Sequence, residues 1–198
     1  VSNYGIDDLY NYEQTKKTLE LALQLEKALI NGVRYESPDG VTRQMDGMRS
    51  FIKTNVVVAD SELTDEIIND LMQEIYEKGG FQNGANYKIM VGAKQKRVIS
   101  NFEKSNIRID RLDNGRGQTV DHFISDFGAA EIILNNNLAP DELFIIDVNR
   151  IAIRPLEGRE FTHEFLGKRG DYYEGMIVGE YTLEFLQEKA HGRIKGLK

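Results

Sequence analysis

Three aspartates sit on or near predicted strands, where metal-dependent nucleases hold their carboxylates. They are Asp121, Asp126 and Asp147. No Glu-x-Lys sequence on a neighbouring predicted strand completes such a set. We therefore interpret the three aspartates as solvent-facing strand residues. A metal-dependent hydrolase that uses one of them is the least favoured function.

The histidines are the other candidate metal ligands, and they are His122, His163 and His191. They lie far apart in the sequence, and no two of them are spaced as ligands on one helical face. We interpret them as ordinary surface or packing histidines.

Two glutamates, Glu180 and Glu184, lie two pleats apart on one face of a predicted strand. This spacing resembles a pair of acid and base carboxylates, but on an exposed strand it indicates a charged rim that discourages edge pairing. The segment 115–119, GRGQT, lacks the spacing of a phosphate-binding loop, so we interpret it as a hairpin tip. The sequence therefore predicts no catalytic residue, no cofactor and no metal.

The composition of the chain argues against several further classes of protein and kinds of site. The 25 Lys and Arg residues against 32 Asp and Glu residues give a net charge of −7, which argues against a general nucleic-acid binder or a membrane-surface protein. The absence of cysteine excludes disulfides and zinc-thiolate sites. The longest apolar run, 56–59, is too short to span a membrane.

The secondary structure that positions these residues is predicted most clearly at the two ends of the chain. Residues 170–191 alternate with period two, which predicts one long half-buried ribbon with bends at Gly175 and Gly179. Residues 8–31 predict a long helix, and we expect its apolar stripe to cover the ribbon so that both ends form one slab. The residues of the stripe are Leu9, Tyr12, Leu19, Leu23 and Ile30, widened by Ala22, Leu25 and Leu29.

The middle of the chain is then predicted to form a second part of the fold, which is connected at both of its ends to the layer formed by the helix and the ribbon. It begins with a turn at 37–40 and a short helical turn before Asn55, followed by a helix capped by Thr64 and ended by Gly79 and Gly80. A third helix is predicted over 93–104, and a hairpin over 107–127 with its turn at 113–115. Further strands are predicted over 87–91, 129–134, 143–148 and 151–156. Tyrosines near the two ends would serve core packing or contacts between copies: Tyr4, Tyr10, Tyr12, Tyr172, Tyr173 and Tyr181.

Four segments carry a resemblance to a known family. They are the helix 8–29, the stretch MDGMRSFIKTN at 45–55, SDFG at 125–128, and 170–184 together with EKAHG at 188–192. In this order and spacing they resemble the SU10-type major capsid proteins of tailed phages, which share the HK97-like capsid fold.

The resemblance implies an α+β fold with two lobes. A peripheral lobe would comprise 1–58, with residues 8–31 as its spine helix, and the return strands of 151–198. An axial α/β lobe would comprise 59–150 and point toward the five-fold and six-fold centres of a shell. Relatives have an N-terminal arm and an extended loop ahead of the spine helix. This chain starts where those would end, so we expect both to be missing from it. Its start at Val1-Ser2-Asn3, without an initiator Met, indicates a fragment, a processed product or the ordered part of a longer protein.

The implied function is structural rather than enzymatic. The chain would assemble with itself into hexamers and pentamers of an icosahedral phage head that encloses double-stranded DNA without binding it specifically. Scaffolding, portal or decoration proteins would be partners, no membrane would be involved, and assembly would take place in the cytoplasm of the bacterial host before the chain resides in the virion capsid. The alternative is an encapsulin-like cellular compartment. It would need a groove for a cargo peptide near the spine helix, and the sequence shows no obvious one.

Overall fold

The computed structural model describes residues 8–102, 122–167 and 170–198. Its α-helices are α1 Leu9–Asn31, α2 Met48–Phe51, α3 Asp65–Glu77 and α4 Ala93–Ser100. Its strands are β1 Tyr35–Glu36, β2 Arg43–Gln44, β3 Val56–Val58, β4 Tyr87–Val91, β5 His122–Ser125, β6 Gly128–Leu134, β7 Leu143–Asp147, β8 Ile151–Pro155, β9 Thr162–Leu166, β10 Glu174–Val178, β11 Tyr181–Phe185 and β12 Gly192–Lys195. None of these helices is long and apolar enough to cross a membrane.

Helix α1 is capped at both ends by local hydrogen bonds. The carboxylate of Asp8 accepts the backbone N–H of Tyr10 at 2.9 Å, and the N–H of Gly32 donates to the carbonyl of Ala28 at 2.8 Å. The predicted helix over 8–31 is therefore confirmed to within one residue.

The predicted burial of α1 is wrong for most of its length. Leu29 and Ile30 are buried, whereas the four apolar residues before them on the stripe are exposed. Tyr10, which faces another side of the helix, makes the contact with the C-terminal strands instead, through its ring against Phe165 and its hydroxyl against His163. The stripe consequently lacks a cover within the described part of the chain.

A mixed sheet of six strands forms the centre of the fold, in the order β3-β12-β7-β4-β6-β5. Strand β12 runs parallel to β3 and antiparallel to β7, while β4 runs parallel to β6. Alternate residues of β4 and β7 enter two different apolar clusters, as the period of a strand requires when both faces are covered.

One face of this sheet is covered by α3. The side-chain oxygen of Thr64 accepts the N–H of Ile67 at 3.4 Å and starts the helix as predicted. The residues that α3 buries against the sheet are Ile68, Leu71, Met72 and Ile75. The opposite face is covered by the end of α1 together with α2, and the buried residues there are Leu29, Ile30, Met48 and Ile52.

The C-terminal strands form an antiparallel ribbon with an interruption. Strand β11 pairs with β8, and β10 pairs with β9. Between the two pairs, the N–H of Glu180 donates to the carbonyl of Arg159 at 2.9 Å. The facing arm, which is the segment 156–161 between β8 and β9, loops out of the ladder here. The ribbon predicted over 170–191 therefore consists of two strands, β10 and β11, separated at one of the two predicted bends, because the facing arm contains extra residues that break the ladder.

Gly179 marks this break, as predicted, and a Cβ there would lie 2.6 Å from the ring of Phe161. Gly175 does not form a bend. It lies inside β10, where a Cβ would lie 1.9 Å from the hydroxyl of Tyr10, so this glycine permits the close approach of α1.

The predicted strands 87–91, 129–134, 143–148 and 151–156 correspond to β4, β6, β7 and β8. The predicted turn over 37–40 joins β1 to β2. Strands β1, β2, β3, β9 and β12 were not predicted. Helix α4 ends at Ser100, before the predicted end at 104.

The predicted strand 107–112, the turn 113–115 and the tip 115–119 lie outside the described residues, and β5 is the described part of the return arm. Strands β3 and β12 lie outside the predicted axial range of 59–150, so the central sheet also includes residues that flank that range.

Two glycines join α1 to the rest of the fold. The N–H of Gly47 donates to the carbonyl of Gly32 at 2.9 Å, and a Cβ on Gly47 would lie 2.5 Å from the Gly32 nitrogen and 2.8 Å from the carbonyl of Ile30. Because these neighbours are backbone atoms, a side chain at this position forces the end of α1 to move.

We expect Gly47→Ala to lower the free energy of unfolding by about 1–3 kcal/mol, the usual cost of overpacking. Urea denaturation would measure the change. Gly167→Ala is the matched control, because no atom lies within 4 Å of a Cβ there. Equal stability of the two variants would contradict the packing described for Gly47.

Candidate functional site

The candidate aspartates are not brought together. Asp126 lies in an exposed turn after β5, Asp147 lies at the end of β7, and Asp121 is outside the described residues. Asp147 is 1% exposed, so the interpretation of it as a solvent-facing residue is wrong. Its carboxylate accepts the N–H groups of Asn86 and Asn149 at 3.1 and 3.2 Å and pairs with Arg150 at 3.0 Å. These contacts assign Asp147 a structural role in the turn after β7.

The histidines are also separate. His122 is half-buried in β5, His163 in β9 lies with Nε2 2.6 Å from the hydroxyl of Tyr10, and His191 is fully buried. Within 8–102, 122–167 and 170–198, no group of three or more His, Asp or Glu side chains is arranged to hold a metal ion.

His191 is held by both ring nitrogens. Its Nδ1 accepts the backbone N–H of Asp147 at 3.1 Å, so the proton lies on Nε2, which donates to the carbonyl of Leu186 at 3.1 Å. The ring packs against Phe185 at 4.2 Å between centroids. Burial lowers the pKa of His191 below its ordinary value, because the charged imidazolium is poorly solvated there.

This environment predicts a pH dependence of stability. Since the pKa of His191 is lower in the folded state than in the unfolded state, the unfolded state binds more protons near pH 6, and stability is lost as the pH falls through and below about 6.5. The slope from this residue reaches at most about 1.4 kcal/mol per pH unit. Urea denaturation between about pH 7.5 and 5.5 would measure it. We expect His191→Gln to show a flatter dependence, and parallel curves for the two proteins would contradict the assignment.

The two candidate acid and base carboxylates each face an arginine across the ribbon. Glu184 pairs with Arg154, and Glu180 pairs with Arg159. All four side chains are partly or largely exposed. The two carboxylates act as partners in ion pairs that solvent reaches, and their effect on edge pairing stays a prediction.

A buried polar joint connects the sheet to the segment after α2. The Nδ2 group of Asn55, which is fully buried, donates to the carbonyls of Lys189 and His191, both at 2.8 Å. Its Oδ1 accepts the Lys78 ammonium at 2.6 Å. The Glu188 carboxylate accepts the backbone N–H groups of residues 53 and 54 at 2.7 and 2.6 Å. The role of Asn55 was not predicted, although the segments 45–55 and 188–192 that carry the resemblance meet at this joint.

Two apolar surfaces surround α1. The first is the α1 stripe, formed by Leu9, Tyr12, Leu19 and Leu23, which are 47 to 62% exposed.

Among the tyrosines near the chain ends, Tyr12, Tyr172 and Tyr173 are exposed, Tyr10 and Tyr181 are half-buried, and Tyr4 lies outside the described residues.

The second surface is the α1 groove, a cavity of about 880 Å³ between the first two thirds of α1 and the β9–β10 end of the ribbon. Its walls include Leu9, Leu21 and Gln24 from the helix and His163, Gly175 and Ile177 from the ribbon. The sequence shows no obvious groove near this helix, because the groove forms between segments far apart in the sequence.

Most of the acid and base groups of the groove are engaged with neighbouring side chains. Glu13 pairs with Lys16 at 3.0 Å and Glu20 with Lys17 at 2.7 Å, while His163 bonds Tyr10. These ion pairs are exposed and follow one turn of α1. The arrangement therefore favours binding of apolar surface over acid–base catalysis.

Comparisons with known proteins identify the relatives of this chain. The family model described as SU10 major capsid protein matches residues 1–198. A search of curated proteins finds no match.

Solved structures share the fold at low sequence identity. The SrpI encapsulin of Synechococcus elongatus superposes with a TM-score of 0.62 at 12% identity, over 98% of this chain and 68% of that one. The capsid of the native GTA particle superposes with a TM-score of 0.62 at 12% identity, over 96% of this chain and 66% of that one. The procapsid of satellite phage P4, which includes the size determination protein, superposes with a TM-score of 0.60 at 12% identity, over 98% of this chain and 69% of that one. The chain thus spans about two thirds of the length of these relatives.

Proposed function

Because this chain belongs to the SU10 major capsid protein family, we propose that many copies of it form the hexamers and pentamers of an icosahedral phage head around double-stranded DNA. The protein is a phage shell protein with the HK97-like fold. The family match over residues 1–198 is the observation that carries the proposal.

The surfaces of α1 support assembly with further copies. Soluble monomers rarely expose large contiguous apolar patches, and the α1 stripe and the α1 groove lie on one long helix. Contacts of modest strength suffice in a closed shell, because each subunit makes many of them simultaneously.

We propose the two lobes that the family implies. In this proposal 1–58 and 151–198 form the peripheral lobe with α1 as its spine, and 59–150 form the axial lobe, whose sheet also includes β3 and β12 from the flanking ranges. The axial lobe points toward the five-fold and six-fold centres of the shell.

The remaining partners follow from the same function. The net charge of −7 keeps confined DNA from adhering to the wall. Scaffolding, portal or decoration proteins join the shell during assembly in the bacterial cytoplasm, and the chain then resides in the virion capsid. Catalysis, including metal-dependent hydrolysis at Asp126 or Asp147, has no place in this function.

The encapsulin match favours one alternative, a cellular compartment that holds a cargo protein. The α1 groove is where a cargo peptide would bind in that case. The phage function is preferred because the matching family is one of major capsid proteins.

Electron microscopy of the full-length protein, expressed and purified from bacteria, tests the function. We expect closed icosahedral particles, and particles from the natural source should contain nuclease-protected DNA. Particles filled with a cargo protein instead of DNA would establish the compartment. A protein that stays monomeric at high concentration would overturn both.

A further inference from the structure

Helices α3 and α4 cover the same face of the central sheet. Their buried residues, among them Ile68 of α3 and Ile99 of α4, enter one apolar cluster. Helix α3 packs on β12, where a Cβ on Gly192 would lie 2.7 Å from Leu71, and α4 follows β4 and packs on it. From the order of the strands, α3 therefore lies nearer the β3 edge of the sheet and α4 nearer the β5 edge.

The two helices carry opposite charges. Helix α3 has five acids and no base, and the acids are Asp65, Glu66, Asp70, Glu74 and Glu77. Helix α4 has three bases and no acid, and the bases are Lys94, Lys96 and Arg97. The α3 acidic face comprises the exposed Glu66, Asp70 and Glu77, which follow one side of the helix, and the α4 basic face comprises the exposed Lys94 and Arg97.

The charge of the α3 acidic face is not cancelled by its surroundings in the chain. Lys78, the first base after α3, pairs with Glu74 at 2.6 Å. The segment 188–190, which contacts the end of α3, carries one acid and one base. The C-terminal bases Lys195 and Lys198 lie beside the loop before α3, which has two acids of its own. Among the described residues, none of the acidic face forms an ion pair.

The α4 basic face also keeps its charge. Asp141 is exposed beside the start of α4, because Gln95 donates to the carbonyl of Pro140 at 2.9 Å, and it offsets one base at most. Residues 103–121, which follow α4 in the sequence, include four acids and four bases and add no net charge. Neither residue of the basic face forms an ion pair within 8–102, 122–167 and 170–198.

Both faces are electrostatically unfavourable for a single chain. Glu66 and Asp70 lie four residues apart on α3, a spacing at which like charges destabilise a helix. Glu77 lies in the last turn of α3 and Lys94 in the first turn of α4, where the helix dipole disfavours their charges. A partner that brings the opposite charge to each face would offset these costs.

We propose that the α3 acidic face of one copy contacts the α4 basic face of the next copy around the five-fold and six-fold centres. This inference rests on the proposed shell function, in which both helices belong to the axial lobe, and names one contact by which it is achieved. Because the two faces lie toward opposite edges of the sheet, the contact is heterologous, and such contacts close into rings when the rotation between copies allows it. Like charges oppose a contact between two α3 faces or two α4 faces, so the charges also fix the direction of the ring.

A second copy suits both faces at the same time. A nucleic acid would be attracted by the α4 basic face and repelled by the α3 acidic face, and a basic protein would show the reverse preference. Each copy of this chain supplies one face of each sign, so every ring is balanced in charge. The contact then recurs in all subunits, which makes a modest contact sufficient.

Charge reversal in the full-length protein tests the contact. The α3-reversed protein carries Asp70→Lys and Glu77→Lys, and the α4-reversed protein carries Lys94→Glu and Arg97→Glu. We expect each to lower the yield of closed particles at least about tenfold, because every contact in a ring then opposes like charges. All four side chains are exposed, so the subunit stays folded, which circular dichroism would confirm. Both reversals in one chain should restore the particles.

Co-expression of the two reversed proteins gives a sharper result. The α3-reversed protein is basic on both faces and the α4-reversed protein is acidic on both, so favourable contacts require the two to alternate. A ring of six copies can alternate, whereas a ring of five retains one contact between like charges. We therefore expect electron microscopy to show sheets or tubes of hexamers in place of closed heads. Closed particles from this mixture at the yield of the unsubstituted protein would overturn the contact.

The matched control carries Glu157→Lys and Glu160→Lys, which make the same change of charge as the α3 reversal at exposed residues of the segment 156–161. We expect this control to form particles, and an equal loss would assign the effect to net charge and overturn the contact.

The remaining outcomes separate the inference from the shell function. Normal particles from either reversed protein, or no recovery when both reversals are combined, would overturn the contact and leave the shell function standing. Normal particles of the α4-reversed protein that retain less DNA would assign its bases to nucleic acid and overturn the contact as well. Failure of the unsubstituted protein to form particles would overturn the shell function itself.

Discussion

Replacing Asn55 with leucine is expected to lower the free energy of unfolding by about 3 kcal/mol or more. The substitution leaves the carbonyls of Lys189 and His191 without their donors and leaves the Lys78 ammonium without its Asn55 acceptor. Each buried polar group that loses its partner costs about 1–3 kcal/mol. Leucine has nearly the same shape as asparagine, so the loss is one of hydrogen bonding.

Urea denaturation at neutral pH would measure this effect. The matched control is Asn149→Leu, because Asn149 donates one side-chain hydrogen bond, to the carbonyl of Gly84 at 2.8 Å, at an exposed site. We expect the control to change stability by less than about 1 kcal/mol. Similar losses in the two variants would show that the joint around Asn55 contributes little.

The double substitution Leu19→Glu and Leu23→Glu is expected to reduce the yield of closed particles at least about tenfold, while the subunit remains folded. Both side chains are exposed, so two carboxylates are well solvated there in a single chain. In an assembled shell they would have to be buried against a neighbouring copy, at a cost that recurs in every subunit.

Electron microscopy and sedimentation would measure assembly, and circular dichroism would confirm the helix content. Asn11→Glu combined with Thr15→Glu adds the same charge at exposed positions that neither belong to the stripe nor widen it, and serves as the control. If this control lost its particles equally, net charge rather than the α1 stripe would govern assembly.

Elements with local signals were predictable from the sequence. The limits of α1 depend on Asp8 and Gly32, and the start of α3 depends on Thr64, all within one turn of the helix they bound. Strand β4 is a short apolar run between loops, which is the usual pattern of a buried strand.

Elements defined by distant partners were not predictable. Strand β12 has four residues and gains its place from β3 and β7, which lie far away in the chain. The burial of Asp147 depends on Asn86 and Arg150 around it. Period-two alternation indicated an extended ribbon over 170–191 and Gly179 indicated a bend in it, but the extra residues of the facing arm that break the ladder there had no local signal.

The α1 groove, a candidate binding surface, was not predictable from the sequence for the same reason. Its walls combine residues near 9–24 with residues near 163–177, and neither segment has a pattern of its own that indicates a recess. The residues of the α1 stripe were identified correctly from helical periodicity. Their partner was not, because periodicity shows which face is apolar and says nothing about what covers it.

The position of β12 has a consequence for biosynthesis. It follows every other described strand in the chain, yet it lies between β3 and β7. On the ribosome, β3 emerges well before β12 and cannot pair with it until residues 192–195 have been translated. Sequence-distant pairing of this kind slows folding. A nascent chain therefore lacks a finished central sheet until β12 has been translated.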